Sequence, residues 1–122
     1  MRHLYIHVPF CRRRCVYCDF AVAVRKEVPA RRYMDAVLKE HSIKRERERW
    51  NGEPLVTLYL GGGTPSLLAA EQTERLVAYM LDVERADCAH PDYEVTIEAN
   101  PDDVTEHTVG RWIAAGVTRV SL

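Results

Sequence analysis

The chain has 122 residues, a formal net charge of −1 and 29% charged residues. That length suits one small domain, and the charge balance excludes a basic nucleic-acid tail or a membrane-surface patch. Hydrophobic content is 47%, ordinary for a globular protein, yet no apolar run approaches the roughly 20 residues that span a bilayer.

Alternation over 3–8 predicts a first strand, with Leu4, Ile6 and Val8 on one side and His3, Tyr5 and His7 on the other. A loop over 9–20 follows. It holds three of the four cysteines, Cys11, Cys15 and Cys18, in a Cys-x3-Cys-x2-Cys pattern. Residues 21–27 read as a connector. Pro29 suits the first turn of a helix, on which Met34, Val37, Leu38 and His41 recur at helical spacing. Alternating charges over 44–49 read as a solvated helix end, and 50–54 as a turn.

Residues 55–60 form the second predicted strand, closed by Gly61, Gly62 and Gly63. A helix over 70–85 buries Leu76, Val77, Met80 and Leu81; 86–92 is loop and 93–99 the third strand. Asn100-Pro101-Asp102-Asp103 breaks that strand. Thr105 is an N-cap for a short helix with Val109, Trp112 and Ile113, and Gly116 is its C′ residue. Residues 118–122 open a fourth strand. A chain that stops inside an apolar strand leaves an open edge, so we expect the N-terminal piece of a longer protein.

Strand and helix in alternation predict an α/β fold with a parallel sheet. Strands buried on both faces read as continuous apolar runs. Here one parity is polar or aromatic in each of the first three strands: His3, Tyr5, His7; Thr57, Tyr59, Gly61; Glu94, Thr96, Glu98. That parity predicts a wet, ligand-holding interior, with functional groups at the C-terminal ends of the strands.

Soft thiolates select zinc, copper(I) or iron–sulfur clusters. Structural zinc closes with four ligands, so a zinc site needs His7, Asp19 or Cys88 as its fourth. A zinc-stabilised binding module, or thiols without a ligand, are the bland alternatives. Three thiolates on a four-iron cubane would leave one iron open. Arg12, Arg13 and Arg14 lie between the first two cysteines, where positive charge favours thiolate. Met1-Arg2-His3-Leu4 has no signal-peptide core. Clustered thiols without an export signal predict a reducing, cytoplasmic setting and no disulfides. Gly61-Gly62-Gly63-Thr64 follows a strand and precedes a helix, where missing side chains let backbone approach a ligand and amides can meet a polar head group. It is neither a P-loop nor a Gly-x-Gly-x-x-Gly element. A carboxylate such as Glu98 on an interior face needs a partner or a ligand; the bland partner is Arg119. Cys88 reads as a lone thiol. His41, His90 and His107 read as surface or helix residues, and Asp82, Asp102 and Asp103 as solvated or capping groups.

Cys-x3-Cys-x2-Cys with Tyr17 before the last cysteine resembles the radical S-adenosylmethionine (SAM) superfamily. Further words occur in the same order as in that family: Leu4-Tyr5-Ile6-His7-Val8-Pro9-Phe10-Cys11, Tyr59-Leu60-Gly61-Gly62-Gly63-Thr64-Pro65-Ser66, Glu94-Val95-Thr96-Ile97-Glu98-Ala99-Asn100-Pro101 and Ala115-Gly116-Val117-Thr118-Arg119-Val120-Ser121-Leu122. Together they resemble the oxygen-independent coproporphyrinogen III oxidase group and its HemW-type haem chaperone branch. The resemblance implies a partial (β/α)6 TIM-like barrel, of which residues 1–122 supply the first three and a half or so βα units. The rest of the barrel and a C-terminal domain would lie beyond. It implies a [4Fe–4S] cluster on Cys11, Cys15 and Cys18, with SAM on the open iron and reductive cleavage to a 5′-deoxyadenosyl radical. Tyr5, Tyr17, Gly62, Gly63, Thr64 and Glu98 would contact SAM, Tyr17 beside the adenine and the glycine stretch at the methionyl amino group. His7 supports the site without being a ligand. Haem or porphyrin is the implied ligand and a haem protein the acceptor. The alternative is a coproporphyrinogen dehydrogenase, an oxidoreductase that decarboxylates propionates. That branch resembles Cys-x3-Cys-x2-Cys-x-Cys, and here the last position is Phe20.

Overall fold

In the computed structural model of the chain, which describes residues 2–13, 22–50 and 52–122, the alternating segment becomes strand β1 (Arg2–Val8). It pairs in parallel with β4 (Leu55–Gly62), β4 with β5 (Glu94–Glu98), and β5 with β6 (Arg119–Ser121), giving a four-stranded sheet in the order β1-β4-β5-β6. Parallel neighbours need long crossovers, and helices α1 (Ala30–Arg47), α2 (Ala70–Val83) and α3 (Glu106–Ala115) provide them. Strand β4 runs two residues further than the sequence suggests, taking Gly61 and Gly62 into the sheet.

Two short strands flank the cysteine loop. β2 (Phe10–Cys11) pairs in parallel with β3 (Ala23–Val24). The Ala23 amide donates to Pro9 O at 2.5 Å and the Arg25 amide to Cys11 O at 3.1 Å. The predicted connector is therefore a clasp that brings both ends of the loop together.

Register sorts the sheet into apolar and polar rungs. Ile6, Leu60, Ile97 and Val120 are successive partners across the strands. Ile6, Val8, Leu58, Leu60, Val95 and Ile97 are buried against Leu76, Val77 and Met80 of α2 and Trp112 and Ala115 of α3. Leu81 of the predicted stripe is only half-buried and Ile113 is exposed. Helix α3 starts on a reciprocal cap: Thr108 N–H donates to Thr105 Oγ1 at 3.2 Å and Thr105 N–H to Thr108 Oγ1 at 2.9 Å. Here Thr takes the role usually filled by Glu or Gln. The helix ends at Gly116 in the left-handed region (φ 105°).

At the other end of the sheet lies a cluster the sequence does not announce. His41, read above as a surface or helix residue, is on α1 but buried, with Nε2 2.7 Å from Glu84 Oε1. The Glu84 side chain is 1% exposed and also meets Arg45 Nε at 3.2 Å and the Arg2 guanidinium. Arg2 lies over the Trp50 ring, 5.6 Å from its centroid. These contacts pin the start of β1 to the ends of α1 and α2.

Candidate functional site

The other face of the sheet is polar, as the alternation predicts. His3, Thr57 and Glu94 form one rung, and Tyr5, Tyr59, Thr96 and Arg119 the next. Tyr5 stacks on Tyr59 with ring centroids 5.9 Å apart, and its hydroxyl lies 3.2 Å from His7 Nδ1. Tyr59 donates to Glu98 Oε1 at 2.7 Å, while the Gly62 amide donates to Glu98 Oε2 at 3.0 Å. Glu98 is thus held in one orientation by β4. The hydrogen bond to Glu98, then burial, pushes the Tyr59 phenol above its ordinary pKa. Burial and then the Glu98 charge raise that of Tyr5. Arg119, the partner weighed for Glu98, instead meets Glu94 at 3.1 Å. Hydrogen bonds from Thr96 and Arg119 hold the Glu94 carboxyl below its ordinary pKa.

The glycine stretch does something other than offer free amides. Gly62 has φ 112°, and a Cβ there would sit 2.4 Å from His7 Nδ1. A Cβ on Gly63 would sit 2.6 Å from Phe10 O. The Gly63 amide donates to Val8 O and the Thr64 amide to Phe10 O, each at 2.7 Å. With Gly62 committed to Glu98, all three amides have protein partners. The turn needs glycine chiefly because β1 and β2 press against it. Its effect is to carry Thr64 beneath the first cysteine, where Thr64 Oγ1 donates to Cys11 Sγ at 3.7 Å.

Cys11 is a half-buried free thiol. A soft thiol with a hydroxyl donating to its sulfur suits an iron–sulfur cluster, in which hydrogen bonds to sulfur tune the potential. The Glu98 carboxylate and the Tyr5–Tyr59 shelf suit a ligand with a cationic head and an aromatic base. Cys15, Cys18 and Tyr17, like Asp19 and Phe20, lie outside the described residues. Among the described residues no three His, Cys, Asp or Glu side chains converge as metal ligands. Cys88 is an exposed free thiol on the loop before β5, at the opposite end of the sheet.

Three supporting residues escaped the sequence reading. Asp103, expected to be a solvated or capping group, accepts from Arg12 at 2.8 Å and from Ser66 Oγ at 2.7 Å. The Asn100 amide donates to Ser66 Oγ at 3.0 Å. Arg12 is therefore tied to Asp103, so its charge is already engaged and does not simply serve the thiolates. Tyr33 on α1 donates to His7 O at 2.6 Å and packs against Phe10; burial raises its phenol far above the ordinary value. Tyr33 precedes Val37 by one helical turn, a spacing that could have flagged it. Nothing local in the sequence flags Asp103 or Ser66, because their partners come from distant elements.

Cys11 after the first strand of a parallel α/β sheet, and a glycine turn whose Thr64 meets its sulfur and whose Gly62 meets the Glu98 carboxylate, together define a class. A family model described as the radical SAM superfamily matches residues 5–122. The chain belongs to the radical SAM superfamily. Its relatives narrow the comparison. The haem chaperone HemW of Lactococcus lactis subsp. lactis (strain IL1403) is 37% identical over 121 residues, covering 97% of this chain and 29% of the relative. That of Escherichia coli (strain K12) is also 37% identical, over 98% of this chain and 30% of the relative. That of Mycobacterium tuberculosis (strain CDC 1551 / Oshkosh) is 38% identical over 98% and 30%. Among solved structures, the coproporphyrinogen III oxidase HemN from Escherichia coli, described as a radical SAM enzyme, superposes with a TM-score of 0.80. It has 30% identity over 97% of this chain and 26% of that one. The fold is thus that of an N-terminal part of the TIM-like radical SAM barrel. The chain spans 29% to 30% of the length of these curated relatives.

Proposed function

We propose that residues 1–122 are the N-terminal part of a radical SAM core domain, in a cytoplasmic protein that binds haem and passes it to an acceptor protein. Cys11, Cys15 and Cys18 would hold a [4Fe–4S] cluster. Tyr5, Tyr17, Gly62, Gly63, Thr64 and Glu98 would hold SAM. The observation that carries this reading is the convergence of the Cys11 thiol, the glycine turn and the Glu98 carboxylate at one end of the polar face. Thr64 lies 3.7 Å from the Cys11 sulfur and Gly62 lies 3.0 Å from Glu98. A bound cluster of this kind supplies one-electron chemistry. This chain's own residues do the rest: Tyr59 and the Gly62 amide orient Glu98, Thr64 steadies the Cys11 sulfur, and Tyr5 offers an exposed ring. The relatives named HemW favour the haem reading, as does Phe20 where the dehydrogenase word has a fourth cysteine. The superposition on HemN favours the second reading, oxidative decarboxylation of coproporphyrinogen. Among the described residues no helix is long and apolar enough to cross a membrane.

The test uses the full-length protein, reconstituted anaerobically with iron and sulfide, reduced, and recorded by EPR with and without SAM. The expected result is a reduced-cluster signal that changes on adding SAM. A signal indifferent to SAM would remove the roles given to Gly62, Gly63, Thr64 and Glu98. Zinc without sulfide would restore the binding-module alternative. Haem binding without coproporphyrinogen consumption then separates the two functions.

A further inference from the structure

Asp103 stands where three segments that carry the candidate site meet. The loop that leaves Cys11 reaches it through Arg12, whose Nη2 donates to Asp103 Oδ1 at 2.8 Å. The turn Pro65–Leu67, which follows the glycine stretch, reaches it through Ser66, whose Oγ donates to Asp103 Oδ2 at 2.7 Å. The end of β5 reaches it through the Asn100 amide, which donates to that same Ser66 Oγ at 3.0 Å. Arg12 is one residue past Cys11, Ser66 two past Thr64 and Asn100 two past Glu98. One carboxylate thus links the first cysteine, the residue that donates to its sulfur and the acid at the end of β5.

The carboxylate is itself held. The Asp103 amide donates to Asn100 O at 2.9 Å, and Asp103 O accepts from Thr108 Oγ1 at 2.8 Å, so the turn cannot shift without disturbing the cap of α3. The Asp103 side chain is 10% exposed, against 61% for Arg12. An ion pair between two exposed side chains contributes little. Here the acceptor is nearly buried and its two oxygens serve different segments, so the charge-assisted bond fixes geometry. It also balances charge. Arginine stays protonated at every ordinary pH, and charge and hydrogen bonding around a cluster set its potential. Asp103 offsets the cation that directly follows Cys11.

We infer that Asp103 is a positioning residue: it sets the spacing between Cys11 and Glu98 and neutralises Arg12, and so tunes both the hold on SAM and the potential of the cluster. The inference rests on the cluster reading above, and it gives Asp103 no contact with either group.

The test uses full-length protein with Asp103→Asn, which keeps the size of the side chain and removes its charge. Arg12→Gln/Asp103→Asn removes both charges. Asp92→Asn, exposed at the opposite end of the sheet, removes one acid elsewhere. On reconstituted protein, Asp103→Asn should raise the midpoint potential, because the freed cation favours the reduced cluster, and should weaken SAM binding about tenfold. The double variant should return the potential toward the wild type without restoring SAM binding, a separation that a merely structural role would not produce. Asp92→Asn should change neither. On cluster-free protein, hydrogen exchange at the Ala23 and Arg25 amides, which close the clasp, should rise about tenfold in Asp103→Asn, while the amides of β4 stay protected. That measurement decides even where the variant assembles no cluster. Unchanged exchange at the clasp overturns the inference, as does an equal rise in β4. So does a loaded variant with potential and SAM binding both unchanged, or the same changes in Asp92→Asn. A wild type with no dithionite-reducible cluster instead overturns the cluster reading, and the clasp amides then still test the spacing that Asp103 sets.

Discussion

The two ends of the sheet handle buried polarity in opposite ways. At the N-terminal end, Glu84 and His41 are buried and meet each other, Arg2 and Arg45. At the C-terminal end, Glu98 is only half-buried and holds two protein donors, Tyr59 and the Gly62 amide. Tyr5 beside it is 53% exposed. A buried charge is tolerable only when paired, so the first cluster closes on its own ion pairs and serves cohesion, with His41 Nδ1 left without a hydrogen-bond partner. The second is oriented but still open to solvent, the arrangement that the proposed recognition role requires. Polar residues at one end therefore fix where the strands start, and those at the other are left free to meet a ligand under the proposed function.

The largest expected effect falls on the recognition end. Cys15→Ala should lose the cluster almost completely, while Cys88→Ala, at the far end, should retain it. Iron and sulfide analysis after anaerobic reconstitution decides, and equal cluster content in both variants would sink the ligand assignment. Next in size is Glu84→Gln. Leaving Arg2 and Arg45 facing a neutral group should cost about 3–5 kcal/mol, the scale of a broken buried pair, read as a lower urea midpoint. Glu98→Gln should show the reverse balance. Its fold should be nearly unaffected, while SAM binding weakens by about 1.5–3 kcal/mol, the scale of a hydrogen bond to a charged group. Dialysis of labelled SAM measures it. Should Glu98→Gln lower the urea midpoint as much as Glu84→Gln, the division between the two ends would collapse.

Much of this division was legible in the sequence. Strict alternation in the first three strands gave the polar face directly, because a parallel sheet keeps side-chain parity across its register. Thr105 and Gly116 marked both ends of α3 through local capping chemistry. What stayed hidden was pairing between distant elements. His41 sits in an apolar helical stripe, and only the packing of α2 brings Glu84 to it. Asp103 looks like a turn residue until Arg12 and Ser66 arrive from elsewhere. The glycines were legible as a turn, but the atoms that exclude a side chain, the His7 ring and Phe10 O, belong to β1 and β2.

The smallest effect sharpens the same comparison through alkaline pH. Tyr33 supports the recognition end, donating to His7 O at 2.6 Å. Tyr93, on the loop before β5, supports the other, and burial followed by interaction with Cys88 pushes its phenol up to about 12. Burial raises Tyr33 further still. For a group whose folded pKa is raised, the stabilising difference is fully present below the unfolded value, about 10 for tyrosine. It is lost as pH rises toward the folded value, because the unfolded chain sheds its proton first. The urea midpoint should therefore fall from pH 10 upward, continuing past 12 for the Tyr33 share. Tyr33→Phe should lower stability at pH 7 by about 1 kcal/mol through the lost hydrogen bond, yet flatten the alkaline fall. Tyr93→Phe should flatten only the part between 10 and 12. An alkaline slope identical in the wild type and in both variants would mean that neither phenol is held neutral by the fold.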